Sequence, residues 1–367
     1  MIPNKFIKGV DISTLLEEEA CGARYFDGGR EGELLGILKK YNINSVRLRL
    51  WNDPYSETGE PYGAGTNDLK KLLILAKRVK AAGMSILLDL HYSDFWADPG
   101  KQTLPKAWRG LGVDELEGAV YDYTLEVLEA LKANDTLPDL VQVGNELTNG
   151  LMWPTGLKPE YDNIAKYVSA GIRAVKKISP DSLIMIHLDN GGNNPMYVDW
   201  FDNYIKRGED FDIIGLSYYP FWHGTLDALE YNMHDMAKRY GKKIAVAEVS
   251  MGFTMEDYAV YEKLAPEERK GYATRPDLVE GLEYPMTKEG QSDFMADFMN
   301  RVKNVPGGMG FYYWEPAWIP VPGCGWATKA ALSYTGEKGP GGNEWANQAL
   351  FDYDGNSLPA LGTIRDF

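Results

Sequence analysis

The sequence is poor in the residues that build metal sites. Its 367 residues include 2 cysteines and 4 histidines, with neither a CxxC nor an HExxH motif. This count excludes the usual zinc sites, which need several Cys or His ligands at fixed spacings. It does not settle the cellular compartment.

Positive charge is also scarce. The chain has 38 lysines and arginines against 53 acidic residues, which gives a formal net charge of -15 at pH 7. Proteins that bind nucleic acid or anionic membranes need basic patches to neutralise phosphate groups. The composition therefore argues against both partners and is compatible with a neutral small molecule or a neutral polymer.

Long hydrophobic runs are missing too. No stretch reaches the roughly 20 apolar residues of a membrane helix, and the N-terminal "MIPNKFIKG" lacks the apolar core of a signal peptide. We therefore expect either a cytosolic protein or a mature secreted form whose leader has been removed. Hydrophobic residues make up 44% of the chain and aromatic residues 12%, which is enough for a substantial core.

Short apolar runs alternate with amphipathic helical patterns along the chain. Residues 67–83, for example, carry apolar side chains at steps of three and four and end at a glycine. Strand–helix alternation repeated eight times predicts a parallel sheet covered by helices, an α/β fold whose usual form at this length is a closed (β/α)8 TIM barrel. An open doubly wound sheet is the competitor, but no GxGxxG motif opens the first helix. The predicted strands are 6–13, 45–51, 85–94, 140–146, 182–190, 212–220, 243–250 and 310–318.

No Pro- or Ser-rich linker divides the chain, so we predict a single domain, residues 1–367. Two predicted βα loops are long, at residues 251–288 after strand seven and 319–358 after strand eight. Loops of this length are commonly functional. Both would lie at the C-terminal face of the barrel, where the active sites of this fold are found.

Polar and aromatic side chains gather at the ends of seven predicted strands. Each has an ordinary explanation by itself, since a glutamate that leaves a strand often meets water and an arginine within a strand often pairs with a buried carboxylate. Seven adjacent strand ends of one barrel converge on one ring, however, and solvent exposure alone explains their composition poorly. The residues are Arg47, Arg49, Trp51, Asp89, His91, Asp94, Asn145, Glu146, His187, Asp189, Tyr218, Tyr219, Glu248, Trp314 and Glu315.

Two glutamates of this set, Glu146 and Glu248, favour glycoside hydrolysis. The chain has neither a Gly-rich phosphate loop nor a recognisable Ser-His-Asp arrangement. One carboxylic acid can protonate the departing glycosidic oxygen while the other carboxylate attacks the anomeric carbon. An arginine from strand two and a tyrosine from strand six could keep Glu248 ionised as the nucleophile. Glu146 has no evident cationic partner, so we assign it the role of the acid.

Several motifs resemble those of glycoside hydrolase family 53, the endo-β-1,4-galactanases that act on the galactan side chains of pectin. The resemblance runs from residue 8 to about residue 361. An Asn-Glu pair after strand four is common to a wider clan of retaining barrel hydrolases. The motifs "DLHYSDFWADP", "GWATK" and "NQALFDYDG" are specific to the family. The motifs are "KGVDIS", "VRLRLWNDP", "DLHYSDFWADP", "VQVGNELTNGLMWP", "GLSYYPFWHG", "YYWEPAWIP", "GWATK" and "NQALFDYDG".

The resemblance implies a retaining, endo-acting enzyme that cleaves β-1,4-galactosidic bonds in galactan or type I arabinogalactan. It implies that Glu146 is the acid/base, Glu248 the nucleophile and Asn145 a contact of the sugar 2-hydroxyl. It also implies that Trp314 forms a floor for the sugar at the cleavage point and that Trp96 forms a wall on the glycone side. The remaining predicted substrate-binding residues are Arg49, Asp89, His91, His187, Asp189 and Tyr219.

We predict no cofactor and no metal. Some bacterial members of the family carry a calcium segment rich in Asp and Asn in the loop after strand seven. Here residues 251–277 contain acids but no tight alternating run of oxygen ligands, so a structural calcium is possible but not supported. Strands one and eight are neighbours in a closed barrel, so Cys21 and Cys324 could approach each other; two free thiols are the equal alternative.

The expected partner is the polysaccharide alone, with no nucleic acid and no membrane insertion, and the chain is expected to be a monomer. As a mature form it would be secreted, periplasmic or attached to the cell surface. The alternative within the same clan is another β-1,4-glycanase, a mannanase or a xylanase, because fold analogy does not fix the sugar. A sugar-binding protein that has lost catalysis is disfavoured by the intact Glu146 and Glu248, and a metal-dependent barrel hydrolase would be sensitive to chelation.

Overall fold

The computed structural model describes residues 5–258, 275–338 and 341–367, and these build a closed barrel of eight parallel strands. Each strand pairs with its neighbours in chain order, and the last strand pairs with the first to close the ring. The eight predicted strands and the (β/α)8 barrel are confirmed. The strands are β1 (Ile7–Asp11), β2 (Ser45–Leu50), β3 (Ser85–Leu90), β4 (Leu140–Val143), β5 (Leu183–Leu188), β6 (Ile213–Tyr218), β7 (Lys243–Val249) and β8 (Gly308–Trp314).

The longer helices cover the outside of the barrel because each turns an apolar face toward the strands. The stretch predicted at 67–83 begins after Asp68, whose side chain accepts a hydrogen bond from the Lys71 backbone N–H at 2.8 Å. The helices of the described residues are α1 (Leu15–Ala20), α2 (Leu34–Lys40), α3 (Leu69–Ala81), α4 (Val113–Ala133), α5 (Tyr161–Ile178), α6 (Asn194–Tyr204), α7 (Leu226–Tyr240), α8 (Pro276–Val279), α9 (Lys288–Asn304), α10 (Lys329–Thr335) and α11 (Pro359–Asp366).

Several strands end earlier than predicted. The strand predicted at 140–146 stops at Val143, where Gly144 (φ 84°) and then Glu146 (φ 47°) adopt left-handed backbone conformations that no strand can contain. The strand predicted at 85–94 stops at Leu90, shortly before Tyr92 (φ 52°). Three of the polar residues predicted at the ends of these two strands, His91, Asn145 and Glu146, therefore lie on the turns that follow.

Alternate residues of each strand point into the barrel, which fills in layers. The lower layer is apolar, and its tight packing requires Gly9, where an added Cβ would lie 2.4 Å from the ring of Tyr312. The upper layer is polar and fully enclosed. The apolar layer comprises Ile7, Leu87, Leu140, Met185, Ile213, Ala245, Ala247 and Tyr312. The polar layer comprises Asp11, Arg47, Asp89, Gln142, His187 and Ser217, each at most 1% exposed.

The loop after β8 spans the mouth of the barrel and contacts the loop after β3. Lys101 forms an ion pair with Glu337 at 2.6 Å, and the indole N–H of Trp96 donates to the carbonyl of Trp326 at 3.2 Å. The other long loop, after β7, includes α8, and its residues 259–274 lie outside the described residues. The calcium question for that loop therefore stays a prediction.

Two further expectations concern the cysteines and membranes. Both Cys21 and Cys324 are free thiols, although the Cys21 sulfur lies 3.3 Å from the position a Cβ on Gly323 would take. Among the described residues, no helix combines the length and the apolar character needed to cross a membrane.

Glu18 of α1 is a carboxyl group buried beneath the barrel mouth. It is fully buried, no cation contacts it in the described part of the chain, and its weak hydrogen-bond partners are the Cys324 thiol and the Ile319 backbone. Burial raises its pKa well above the ordinary value, and the nearby charges of Glu315 and Glu17 add to the shift. The folded protein therefore holds this proton more tightly than the unfolded chain does.

We expect Glu18→Gln to stabilise the protein increasingly as the pH rises. In the wild type, the free energy of unfolding should fall as the pH rises from the ordinary glutamate pKa toward the raised one. In this range the folded state still holds the proton and unfolding releases it, so a higher pH favours unfolding. Glutamine cannot ionise, so the difference between variant and wild type should grow by at least about 1.4 kcal/mol, the equivalent of one pKa unit. Chemical denaturation at several pH values measures it.

The control is Glu31→Gln, which removes the same charge from an exposed residue. A gain in the Glu18 variant that is independent of pH, or equal to that of the control, would contradict the raised pKa.

Candidate active site

A cleft of about 630 Å³ opens at the C-terminal mouth of the barrel and collects most of the predicted site residues. A larger cavity, about 1030 Å³, lies at the opposite end of the barrel, but none of the predicted site residues lines it, and its Asp139 already pairs with Lys80. Nine predicted residues line the cleft at the mouth. They are Arg49, His91, Trp96, Asn145, Glu146, Asp189, Tyr219, Glu248 and Trp314.

Glu146 and Glu248 face each other across this cleft. One carboxyl oxygen of each lies within 4.8 Å of the other, and both lie within the same distance of a ring nitrogen of His187. Glu146 occupies a left-handed backbone position (φ 47°, ψ 59°) directly after β4. A non-glycine residue in this region is strained, and such strain is often found where a side chain must be aimed at a reacting group.

Glu248 reaches the cleft through a β-bulge in β7. The pairing of β6 with β7 shifts from Leu216–Val246 to Ser217–Glu248, so Ala247 is the extra residue. In a regular strand the residue after Ala247 would point away from the barrel interior. The bulge turns Glu248 to the same side as Ala247, and so brings its carboxylate into the mouth.

Arg47 is the cation that Glu248 shares with two deeper carboxylates. Its guanidinium contacts Asp11 at 2.8 Å, Asp89 at 2.8 Å and Glu248 at 2.9 Å, and all four side chains are at least nine-tenths buried. The Tyr219 hydroxyl also donates to Glu248, at 2.6 Å. Burial raises the pKa of Glu248, but Arg47 and the Tyr219 hydrogen bond oppose that rise by favouring the ionised form.

Glu146 lies in a different electrostatic setting. Among the described residues no cation contacts its carboxyl group, and its hydrogen-bond partner is the Ser217 hydroxyl at 2.6 Å. Burial raises its pKa well above the ordinary value, and the negative charges of Glu248 and Asp189 raise it further. The pKa of Glu146 is therefore raised further than that of Glu248, so Glu146 is the one that keeps a proton more readily and Glu248 the one that ionises first.

Asn145 presents an amide N–H to the cleft. Its carbonyl oxygen already accepts hydrogen bonds from Arg47 at 2.9 Å, Gln142 at 3.0 Å and His187 at 3.0 Å. The amide nitrogen donates one hydrogen to the backbone carbonyl of Ala97 at 2.9 Å. The second hydrogen of this nitrogen is left for a ligand.

Asp89 and His187 do not line the cleft, which differs from the prediction that they contact substrate. Both are fully buried in the polar layer, Asp89 against Arg47 and His187 between Asn145 and Ser217. Their contacts are with side chains beneath or beside the cleft.

His91 and Asp189 lie at the cleft wall as predicted. Both ring nitrogens of His91 are occupied: one contacts Asp89 at 2.9 Å, and the other accepts from the Trp51 indole and the Ala97 backbone at 3.3 Å. Asp189 is half-buried and accepts a hydrogen bond from the Thr148 hydroxyl. Its second oxygen remains as a possible acceptor for a ligand.

Aromatic rings form one side of the cleft. Trp96 stacks on Trp326 with ring centroids 4.4 Å apart, and Trp314 meets Trp345 edge-on at 4.8 Å. The guanidinium of Arg49 lies 4.4 Å over the ring of Trp96. Such faces suit the apolar surfaces of sugar rings.

Several functional side chains were missed by the sequence interpretation. The loop residues Trp222, Trp326 and Trp345 line the cleft. They were missed because the sequence does not show where a long loop folds back over the barrel. Ser217 could have been found, because it lies two residues before the predicted site residue Tyr219 and so shares its side of the strand. Gln142 could have been found as the polar residue within the apolar run "LVQV".

Comparison with known proteins agrees with this chemistry. The profile of Glycosyl hydrolase family 53 matches residues 7–364. The chain is 37% identical to a protein of Bacillus subtilis (strain 168) named endo-beta-1,4-galactanase, over 98% of this chain and 85% of that one. It is 39% identical to the arabinogalactan endo-beta-1,4-galactanase A of Aspergillus niger, over 85% of each chain. The solved GH53 catalytic domain of Ignisphaera aggregans has a TM-score of 0.89 and 39% identity, covering 99% of this chain and 97% of that one.

We expect Tyr219→Phe to raise the pKa of Glu248. The variant keeps the ring but removes the 2.6 Å hydrogen bond that favours the ionised carboxylate. The acidic limb of kcat/KM against pH should move to higher pH by about one unit, the size of one charged hydrogen bond. Tyr218→Phe is the matched control, because the Tyr218 hydroxyl donates to the Gly224 carbonyl and not to Glu248. An equal shift in both variants, or none in the first, would contradict the role of Tyr219.

Proposed function

The chain belongs to glycosyl hydrolase family 53, and on that basis we propose that it is a retaining endo-β-1,4-galactanase. It hydrolyses β-1,4-galactosidic bonds in galactan and in the type I arabinogalactan side chains of pectin. The observation that carries this function is the pair of glutamates with one oxygen of each within 4.8 Å. That separation is consistent with the about 5–5.5 Å of retaining enzymes and is shorter than the roughly 6.5–9.5 Å of inverting ones.

In the first step, Glu146 is the general acid and Glu248 the nucleophile. The proton of Glu146 goes to the glycosidic oxygen, and the carboxylate of Glu248 attacks the anomeric carbon as the bond to that oxygen breaks. The raised pKa of Glu146 supports its role, because the group must still hold a proton at the working pH. Arg47 and Tyr219 support the role of Glu248 by stabilising its charge and fixing its two oxygens.

In the second step, Glu146 becomes the general base. It takes a proton from water, whose oxygen attacks the anomeric carbon and displaces Glu248 from it. Both displacements occur at the same carbon, so the product has the configuration of the substrate. Neither step requires a metal, and we propose that none takes part.

The cleft offers donors and aromatic faces for the sugar chain. We propose that the free amide hydrogen of Asn145 contacts the 2-hydroxyl at the cleavage point, where a hydrogen bond can strengthen in the transition state. Trp314 forms the floor beneath that sugar, and Trp96 forms the wall on the glycone side. Arg49, His91, Asp189 and Tyr219 complete the contacts of the cleft wall.

We propose that the enzyme acts outside the cytoplasm, as a secreted, periplasmic or cell-surface protein. The reason is the substrate, because a polysaccharide must be cut before it can cross a membrane. We also propose that it acts as a monomer, since the cleft is complete within one chain and needs no residue from a second copy.

The polymer preference can be tested on galactan, mannan and xylan with EDTA present throughout. We expect release of oligosaccharides from galactan only, because the axial 4-hydroxyl of galactose gives this chain a shape that the other two lack, and because both carboxylates work without a metal. Chromatography of the products measures it. Greater release from mannan or xylan would replace the galactanase by the alternative glycanase. Reversible loss of all turnover on chelation would contradict the absence of a catalytic metal.

The roles of the two glutamates can be tested with activated aryl galactosides. Glu248→Gln should hardly react, because the covalent step is lost. Glu146→Ala should complete the first step, since a good leaving group needs no proton, and should then accumulate a glycosyl-enzyme on Glu248. Azide needs no general base, so it should restore turnover of this variant and give a β-galactosyl azide. Mass spectrometry of the protein and NMR of the azide measure both results.

The outcome that reverses the assignment is equally specific. Azide rescue of the Glu248 variant with a β-azide product, together with no trapped intermediate in the Glu146 variant, would exchange the two roles.

A further inference from the structure

Beneath Glu146 runs a chain of hydrogen bonds that ends at a buried histidine. The Ser217 oxygen lies 2.6 Å from a carboxyl oxygen of Glu146 and 2.8 Å from Nε2 of His187. On the other side of the ring, Nδ1 of His187 lies 3.0 Å from the side-chain oxygen of Asn145. Ser217 and His187 are fully buried, so water does not complete their hydrogen bonds.

The contacts of Asn145 fix the tautomer of His187. Arg47, which can only donate, contacts one end of the Asn145 amide, and the carbonyl of Ala97, which can only accept, contacts the other. The atom that faces Nδ1 of His187 is therefore the amide oxygen, and Nδ1 carries a hydrogen. A neutral ring then has a bare lone pair on Nε2.

Ser217 has one hydroxyl hydrogen and two neighbours that could accept it. If the hydrogen goes to Nε2 of His187, the Ser217 oxygen can still accept a hydrogen bond, and Glu146 must be the donor. If it goes to Glu146, the lone pair of Nε2 faces the lone pairs of the serine oxygen. Only the first arrangement satisfies every atom, and it requires a protonated Glu146.

We propose that Ser217 and His187 form a directed relay, from the Glu146 carboxyl hydrogen to Ser217 and from the Ser217 hydroxyl to His187 Nε2, which is complete only while Glu146 is protonated. Both are positioning residues that act through Glu146. This inference rests on the proposed function, since it concerns the acid of that mechanism.

The charges around the relay agree with its direction. Burial lowers the pKa of His187 well below its ordinary value, and the positive charge of Arg47 lowers it further, so the ring stays neutral with Nε2 bare. The ionisable groups that face His187 are Arg47, Asp89, His91, His223, Glu146 and Glu248. Those that face Glu146 are Glu248, Asp189, Asp98, Tyr219 and Tyr197.

The relay would act in both halves of the reaction. In the first, the Glu146 proton leaves its hydrogen bond with Ser217 and passes to the leaving oxygen, the Ser217 hydroxyl hydrogen turns to the new carboxylate, and Nε2 of His187 loses its donor. In the second, Glu146 takes a proton from water and the original arrangement returns. The hydrogen bond from Ser217 to His187 forms again when Glu146 takes up its proton, which favours the base step. In the resting enzyme the same hydrogen bond keeps Glu146 protonated to higher pH.

The basic limb of kcat/KM on galactan reports the acid of the free enzyme and tests this inference. In His187→Asn, the amide nitrogen replaces Nδ1 and can still donate to Asn145, but no atom replaces the Nε2 acceptor. Ser217 can then donate to the Glu146 carboxylate without loss elsewhere. The basic limb should fall by about one pH unit, the size of one buried hydrogen bond. In His187→Gln, whose amide oxygen can accept from Ser217, it should fall by less than half as much.

Ser45→Ala is the matched control, because Ser45 is a buried barrel serine whose oxygen lies 2.9 Å from the Tyr312 hydroxyl in the lower part of the barrel. Its basic limb should not move. An unchanged or higher basic limb in His187→Asn would overturn the relay. A rise is the result expected if the Ser217 hydroxyl points at Glu146 in the resting enzyme, because the ionised form then loses support.

A second measurement, of the protonation of His187 itself, does not depend on the activity of any variant. Nitrogen NMR of the 4 histidines should show His187 protonated at Nδ1 alone between about pH 5 and 8, with the signal identified by its absence in His187→Asn. A hydrogen on Nε2 would overturn the relay. If the wild type does not hydrolyse galactan, the proposed function fails, but this spectrum still decides the direction of the hydrogen bonds.

Discussion

The buried guanidinium of Arg47 is the group on which the rest of the site depends. It lies 2.8–2.9 Å from carboxylates on β1, β3 and β7 and donates to Gln142 and Asn145 as well. Taking these charges out of water costs several kcal/mol each, and removing one partner would leave the others uncompensated. The polar layer can exist inside a barrel only because one planar cation with five donors satisfies most of its acceptors.

The same guanidinium also makes the pKa values of the two glutamates differ. Arg47 contacts Glu248 and not Glu146, so two carboxyl groups at close range and similar burial respond differently to it. The charge of Glu248 then raises the pKa of Glu146 as well. In the mechanism that we propose, the asymmetric placement of this arginine is what distinguishes the acid from the nucleophile. The Tyr219 hydroxyl contacts Glu248 and the Ser217 hydroxyl contacts Glu146.

The sequence predicted the barrel well because eight apolar runs at regular intervals have few other solutions. It predicted less well how deep each polar side chain lies within the barrel. Asp89 and His91 are alternate residues that share a face, but alternate positions lie about 6.6 Å apart along a strand, so one reaches the cleft and the other stays beneath it. The bulge at Ala247 is visible only in the pairing of β7 with β6, and no residue in "KIAVAEVS" predicts it. The loop tryptophans were missed because their positions depend on contacts between loops.

The configuration of the first product tests the two-carboxylate mechanism most directly. Proton NMR of galactan hydrolysis, recorded before mutarotation, distinguishes the α and β anomers of the new reducing end. Two displacements at one carbon, by Glu248 and then by water, predict that the β anomer appears first and that the α anomer grows in only as the sugar equilibrates. Initial formation of the α anomer would show a single displacement by water and would contradict Glu248 as the nucleophile.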